Sequence, residues 1–172
     1  MKIPNESMAL RVAKTVLVFA VAFYYLLLVF NNLTDYNSNF QFIRHVLMMD
    51  STSPENHGMW RALNPPLWHT IFYVSIIAWE SVTLLLCAWG AVRMVRALRG
   101  SAAAFSKAKN VAIAALTLSL LMWLLAFLSV GGEWFLMWQS PTWNGQPAAF
   151  RMFTVVGIVL LLTAMTEAEL TD

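Results

Sequence analysis

A single carboxylate, Glu80, lies deep within an apolar stretch of the chain, and Tyr73, Thr83 and Cys87 stand at offsets of −7, +3 and +7 from it. At that spacing the four side chains share one helical face, which must look into a bundle or at a partner. An ionised carboxylate in hydrocarbon costs at least about 3 kcal/mol, so Glu80 must be protonated, paired or hydrated in a cavity. Two roles are open: a proton or cation site, or a neutral acid donating to a neighbouring helix. No second charge lies within the apolar stretches to complete a relay. The nearest basic residues, Lys14 and Arg151, belong near opposite surfaces.

Imidazoles and thioethers gather in one polar link, as His45, Met48, Met49, His57, Met59 and His69. Such donors suit Cu(I), and His45 with His69 could hold a b-type haem near one membrane face. The spacing matches no rigid ligand motif and no histidine is central to a span. Interfacial hydrogen bonding and partner contact are therefore the leading expectations, with haem or copper electron transfer a lesser alternative and no cofactor assigned. The ten methionines read mainly as packing residues. Cys87 has no adjacent base, and neither GxSxG nor HExxH occurs, so a non-enzymatic role is favoured.

A second polar link is short and dense: Gly131-Gly132-Glu133-Trp134, then Trp138, then Trp143-Asn144-Gly145-Gln146, with Gly-Gly and Asn-Gly reading as turns. Five of the eight tryptophans lie in the two links. An aromatic belt at the interface accounts for indoles, and docking of a partner or ligand accounts for their density. Asp35, Arg44, His45, Glu133, Trp134, Trp138, Trp143, Asn144 and Arg151 are the candidate residues of an outer cap built from both links.

The elements that position these groups follow from composition. With 59% hydrophobic and 12% charged residues, the chain falls outside the range of soluble domains. Apolar runs at about residues 12–30, 69–92, 111–130 and 150–165 are each near the length needed to cross a bilayer. They must be helices, because a lipid-exposed backbone has to satisfy its own hydrogen bonds and no alternating pattern supports a barrel. The expected fold is an all-α membrane protein, a single domain over residues 1–172, with four antiparallel transmembrane helices. Lys2, Arg11 and Lys14 precede or open the first run, and Arg93, Arg96, Arg99, Lys107 and Lys109 fill the link 93–110 without an acid. The positive-inside rule places both termini and that link in the cytoplasm, leaving 31–68 and 131–149 as outer loops. Lys14 is expected to snorkel to the headgroups. No small-x-small pattern follows the first run, so it is expected to remain as an anchor rather than a cleaved signal.

Within the first outer loop, Phe40, Ile43, Val46 and Leu47 recur at helical spacing, which predicts a short amphipathic helix on the outer face. Ala112, Ala115 and Ser119 in the third span, and Thr154, Gly157, Leu161 and Ala164 in the fourth, form stripes expected to act as packing seams. The net charge of +2 is too small and scattered to favour a nucleic-acid partner.

The runs Asn31-Asn32-Leu33-Thr34-Asp35-Tyr36, Asn39-Phe40-Gln41-Phe42 with Arg44-His45-Val46-Leu47, Ala78-Trp79-Glu80, and Gly131-Gly132-Glu133-Trp134-Phe135 through Gln146 resemble the bacterial family of predicted small integral membrane proteins, domain of unknown function 2165. The resemblance spans essentially the whole chain and implies a bacterial inner-membrane setting. It carries no activity to these positions. The leading expectation for function is a non-catalytic accessory subunit or assembly factor that grips a membrane or periplasmic protein through its outer loops, or assembles as a homo-oligomer in the bilayer. The alternative from another class is a small-solute or proton-coupled carrier using Glu80, with Arg151 and Glu133 near its mouth.

Overall fold

The computed structural model describes residues 6–170. Lys2, one of the expected basic N-terminal residues, lies outside them. The chain forms α1 (Glu6–Thr34), α2 (Tyr36–Met48), α3 (Pro66–Ala97), α4 (Ala102–Leu121) and α5 (Gln146–Ala164), with no strand among the described residues. Single 3₁₀ turns occupy Met59–Arg61 and Met137–Gln139, and a π-helical segment, Met122–Trp134, continues α4. Among the described residues four helices are long and apolar enough to cross a membrane: Ser7–Thr34, Pro66–Ala97, Ala102–Trp134 and Gln146–Ala164.

Neighbouring helices are antiparallel. Arg11 near the start of α1 donates to the Leu98 carbonyl just beyond α3, whereas Asn32 near the end of α1 meets Tyr73 near the start of α3. Likewise Lys109, early in α4, donates to the carbonyl of Met165 just after α5. One end of the bundle thus gathers Arg11, the α3–α4 link and the segment after α5. The other, the cap end, gathers α2 and the loops around 49–65 and 135–145.

The first three spanning helices outrun the apolar stretches. α1 continues to Thr34 and keeps Asn31 and Asn32 helical. α3 begins after Pro65, with Pro66 in the first turn where a missing N–H costs nothing, and runs on through Arg93 and Arg96. The basic link contracts to residues 98–101, because Arg, Ala and Lys are good helix formers. Ser101 starts α4, its hydroxyl accepting from the Ala104 N–H at 3.2 Å.

Gly131-Gly132 is not a turn. The helix passes through both as π-helix to Trp134, and the chain reverses beyond it, with Leu136 at φ 53°. Gln146 packs onto Gly132: a Cβ there would stand 2.2 Å from Gln146 Nε2, the tip of a side chain that would have to swing aside. The Phe135 N–H closes the π segment on the Val130 carbonyl at 3.0 Å.

The main core joins Val18, Tyr25, Cys87, Ala91, Met94, Phe105, Ala112, Leu116, Met122, Val156 and Val159. Ala112, Ala115 and Ser119 are fully buried, and at Gly90 an added Cβ would lie 2.7 Å from the Ala112 nitrogen, so α3 and α4 approach backbone to backbone there. The stripe on α5 behaves otherwise. Leu161 is 72% exposed, and α5 buries Ala149, Val156, Val159 and Thr163 instead. Nothing demands a small residue at Gly157, where a Cβ would meet only Leu120 at 3.9 Å. The face that packs is therefore the one whose β-branched side chains fill the groove, and not the one whose residues are smallest.

Gly90→Ala is expected to cost about 1–3 kcal/mol, since the new methyl meets backbone that cannot move aside. Thermal unfolding in mild detergent checks this, with Gly157→Ala expected to leave the midpoint nearly unchanged.

Candidate functional site

Three polar assemblies stand out, two at the cap end and one opposite. The first lies in the bundle. Glu80 is 3% exposed, and its Oε2 accepts from Asn32 Nδ2 at 2.6 Å. The Tyr73 hydroxyl donates to the Asn32 carbonyl at 3.1 Å and lies 3.2 Å from Asn32 Oδ1. Tyr73 in turn meets the rings of Tyr36 and Phe40 edge-on, at 4.8 and 5.8 Å, tying the bundle to α2. Glu80 thus finds a neutral amide rather than a counter-ion. Tyr73, Thr83 and Cys87 share its buried face, as the periodicity predicts.

The cap is the second assembly. His45 Nδ1 lies 2.6 Å from Asp50 Oδ2, and its ring stacks on Trp143 at 4.7 Å and 5°. Ser51 and Ser140 share a 2.7 Å hydrogen bond, and the Ser53 N–H donates to Gln139. His69 Nε2 donates to the Leu63 carbonyl at 2.7 Å, while the Leu63 N–H donates to that of Leu47. Beneath these bonds, Val46, Leu47, Met49, Phe135 and Met137 make a small separate core. Residues 35–65 and 135–145 are consequently one body, although they come from loops far apart in sequence. On its flank Arg61 donates to the carbonyls of Glu133 and Trp134, with its guanidinium 5.5 Å from the Trp60 ring and 5.6 Å from the Trp134 ring.

Of the expected cap residues, the structure brings His45, Trp134 and Trp143 into these contacts. Glu133 contributes only its carbonyl, and its side chain is exposed. Asn144 accepts from the Gln146 N–H, and Arg44 bonds Gln41 on its own helix. Asp35, Trp138 and Arg151 are exposed. The histidines and methionines each have separate surroundings: Met49 is in the cap core, Met59 sulfur accepts from Thr52, Met48 is half-buried and His57 is exposed. No three of His, Cys, Asp or Glu gather as metal ligands among the described residues.

A cavity of about 410 Å³ opens beside the cap core, lined by Phe42, Phe72, Trp79, Phe127, Phe135 and other apolar residues. Its one hydroxyl, on Ser75, already donates to the Ile71 carbonyl. Glu80 does not line it.

At the opposite end Arg11, Lys14 and Lys109 are buried around the carboxylate of Glu167. Lys14 and Lys109 both donate to Glu167 Oε1 and to the Met165 carbonyl, and Arg11 binds the carbonyls of Leu98, Gly100 and Ala168. Lys14 does not snorkel: at 5% exposure it points inward, because the segment after α5 folds over the bundle end and supplies its acceptors. Burial alone pushes the Glu167 carboxyl up, but hydrogen bonds and charge from Lys109 and Lys14 outweigh it and hold the pKa below the ordinary carboxylate value.

Sequence reading missed Asn32, Arg61 and the Glu167 cluster. A signal for two of them was present: Arg11, Val18, Tyr25 and Asn32 recur every seven residues, and all four are buried.

Fold and sites together define a four-helix integral membrane protein whose polar groups are largely satisfied within the chain. The chain belongs to the family described as predicted small integral membrane protein, domain of unknown function 2165, whose model matches residues 10–166. Comparison with curated proteins and with solved structures gave no match.

Two outcomes follow. Glu80→Leu leaves the Asn32 amide donor buried without an acceptor and is expected to cost about 1–3 kcal/mol, whereas Glu80→Gln retains an acceptor oxygen and costs less, as read by thermal unfolding in detergent. For Glu167, which faces Arg11 and Lys14 from α1 and Lys109 from α4, a lowered pKa means that its stabilisation is present above the ordinary carboxylate pKa. That stabilisation is lost as pH falls through the lowered value. The unfolding midpoint should drop over that acidic window in the wild type, and Glu167→Gln should flatten the drop; superimposable profiles would contradict the assignment.

Proposed function

We propose that the protein is a non-catalytic membrane subunit or assembly factor that grips a larger complex through its cap. The observation carrying this reading is the use of the cap's polar groups. His45, Ser51, Arg61, Ser140 and Gln139 all bond within the chain, so no convergent set faces a substrate. Outward the cap presents large aromatics beside scattered charged side chains: Trp60 is 75% exposed, Trp138 51% and Trp134 49%. Trp60 and Trp134 meet edge-on at 5.7 Å with Arg61 beside both rings. Tryptophan and arginine held rigid at a surface are the residue types that dominate protein–protein binding energy.

In this reading the basic end lies in the cytoplasm of a bacterial inner membrane, following the positive-inside rule. The cap and α2 then lie at the periplasmic face. A carrier using Glu80 gains no support, because that carboxyl is buried against Asn32 and lines neither cavity found in the bundle.

The test is recovery of the tagged protein from native membranes in mild detergent. A defined protein partner is expected, and Trp60→Ala with Trp134→Ala should reduce its yield at least about tenfold, the scale of a lost hot-spot pair. Monodisperse protein without a partner, or a partner retained by the double variant, would overturn the proposal.

A further inference from the structure

Protein interiors pack with few voids larger than a water molecule, yet a cavity of about 410 Å³ stands open between α3 and the π segment that continues α4. The cap core closes it from one side through Val46, Leu47, Phe135 and Met137. At its rim Ile71 of α3 and Leu125 and Val130 of the π segment are exposed, and all three belong to helices long and apolar enough to cross a membrane. The mouth therefore faces lipid.

The lining decides which occupant fits. Water held in a buried space needs about two to four polar partners, and here the side-chain polar atoms are the Ser75 hydroxyl and the Trp79 indole N–H. Both are already used, on the Ile71 carbonyl at 2.7 Å and the Leu118 carbonyl at 3.1 Å. No charged side chain lines the cavity, so an ionic headgroup finds no partner inside. Nor does the protein fill the space itself, because Ala126 and Gly131 leave the π-helical wall without bulk. Left bare, such walls forfeit dispersion contacts, and a hydrocarbon chain restores them. The volume lies within the range of about 300–1,000 Å³ usual for small-molecule sites, and π winding is frequent where a helix serves one.

We propose that this cavity holds one acyl chain of a membrane phospholipid from the leaflet on the cap side. The chain enters past Ile71, Leu125 and Val130 and lies against Ile76, Phe127 and the Phe42 and Ile43 side chains of α2. Its headgroup stays outside and takes no part in recognition. The site lies within the spans and does not depend on the partner proposed for the cap.

The test reconstitutes full-length protein in phosphatidylcholine vesicles containing a trace of phosphatidylcholine with a photoreactive diazirine in one acyl chain, and maps the adducts by mass spectrometry. Ile76 and Phe127 are half-buried, whereas Val74 and Leu27 are exposed toward lipid. A bound chain should give several-fold more adducts on Ile76 and Phe127 than on Val74 and Leu27, the reverse of their exposure. Ala126→Phe and, from the opposite wall, Ser75→Leu fill the cavity, and each should reduce adducts on the first pair several-fold while leaving the second pair unchanged. Two variants on two helices decide the matter if one does not fold. Phosphatidylglycerol bearing the same diazirine chain should label Ile76 and Phe127 equally well. Adducts that follow exposure, or that persist in the filled variants, overturn the proposal. A several-fold preference for one headgroup assigns the site to the headgroup and overturns it too. Absence of adducts on Ile76 and Phe127, the result of a second copy seated over the mouth, does the same.

Discussion

One carboxylate beyond the last span allows three cations to sit inside a membrane bundle. Glu167 is reached from α1 by Lys14 and from α4 by Lys109, while Arg11 holds the α3–α4 link and the Ala168 carbonyl. Four parts of the chain are fixed by this one contact set. Without the carboxylate, three positive charges would face one another in a low dielectric, where unpaired burial costs far more than a surface ion pair yields. The antiparallel packing of α1 against α3 and of α4 against α5 is closed at this end by charge. At the other end it is closed by neutral hydrogen bonds, from Tyr73 to Asn32 and from Asn32 to Glu80.

The cap too is held together by bonds within the chain. Hydrocarbon on the flanks of the bundle offers no hydrogen bonds, so polar residues near its end satisfy one another and in doing so join two loops. Tyr73 links the levels, bonded to Asn32 below and packed against Tyr36 and Phe40 above. Chemistry-bearing residue types thus serve as braces. On the outer surface of the cap Trp60, Trp134 and Trp138 stay exposed beside charged side chains such as Glu133.

The spans were legible because long apolar runs leave no alternative to helix, and the buried face of α3 was legible from its periodicity. Lys14 was not, since snorkelling considers one helix alone and the decisive acceptor, Glu167, is 153 residues away. The heptad from Arg11 to Asn32 would have shown that this face turns inward. Gly131-Gly132 read as a turn because glycine permits one, yet here it makes room for Gln146. Small residues on α5 read as a seam although most of that stripe, Thr154, Leu161 and Ala164, is exposed. In each case the sequence carries the local option, and a distant partner selects among the options.

In the function proposed above, the spans are scaffold and the cap is the contact surface. A photoreactive amino acid placed at Trp138 on the cap, and separately at Leu85 on the lipid-facing side of α3, tests it in intact native membranes. A discrete protein adduct is expected from position 138 and only lipid adducts from position 85. A protein adduct from position 85 with none from position 138 would contradict it.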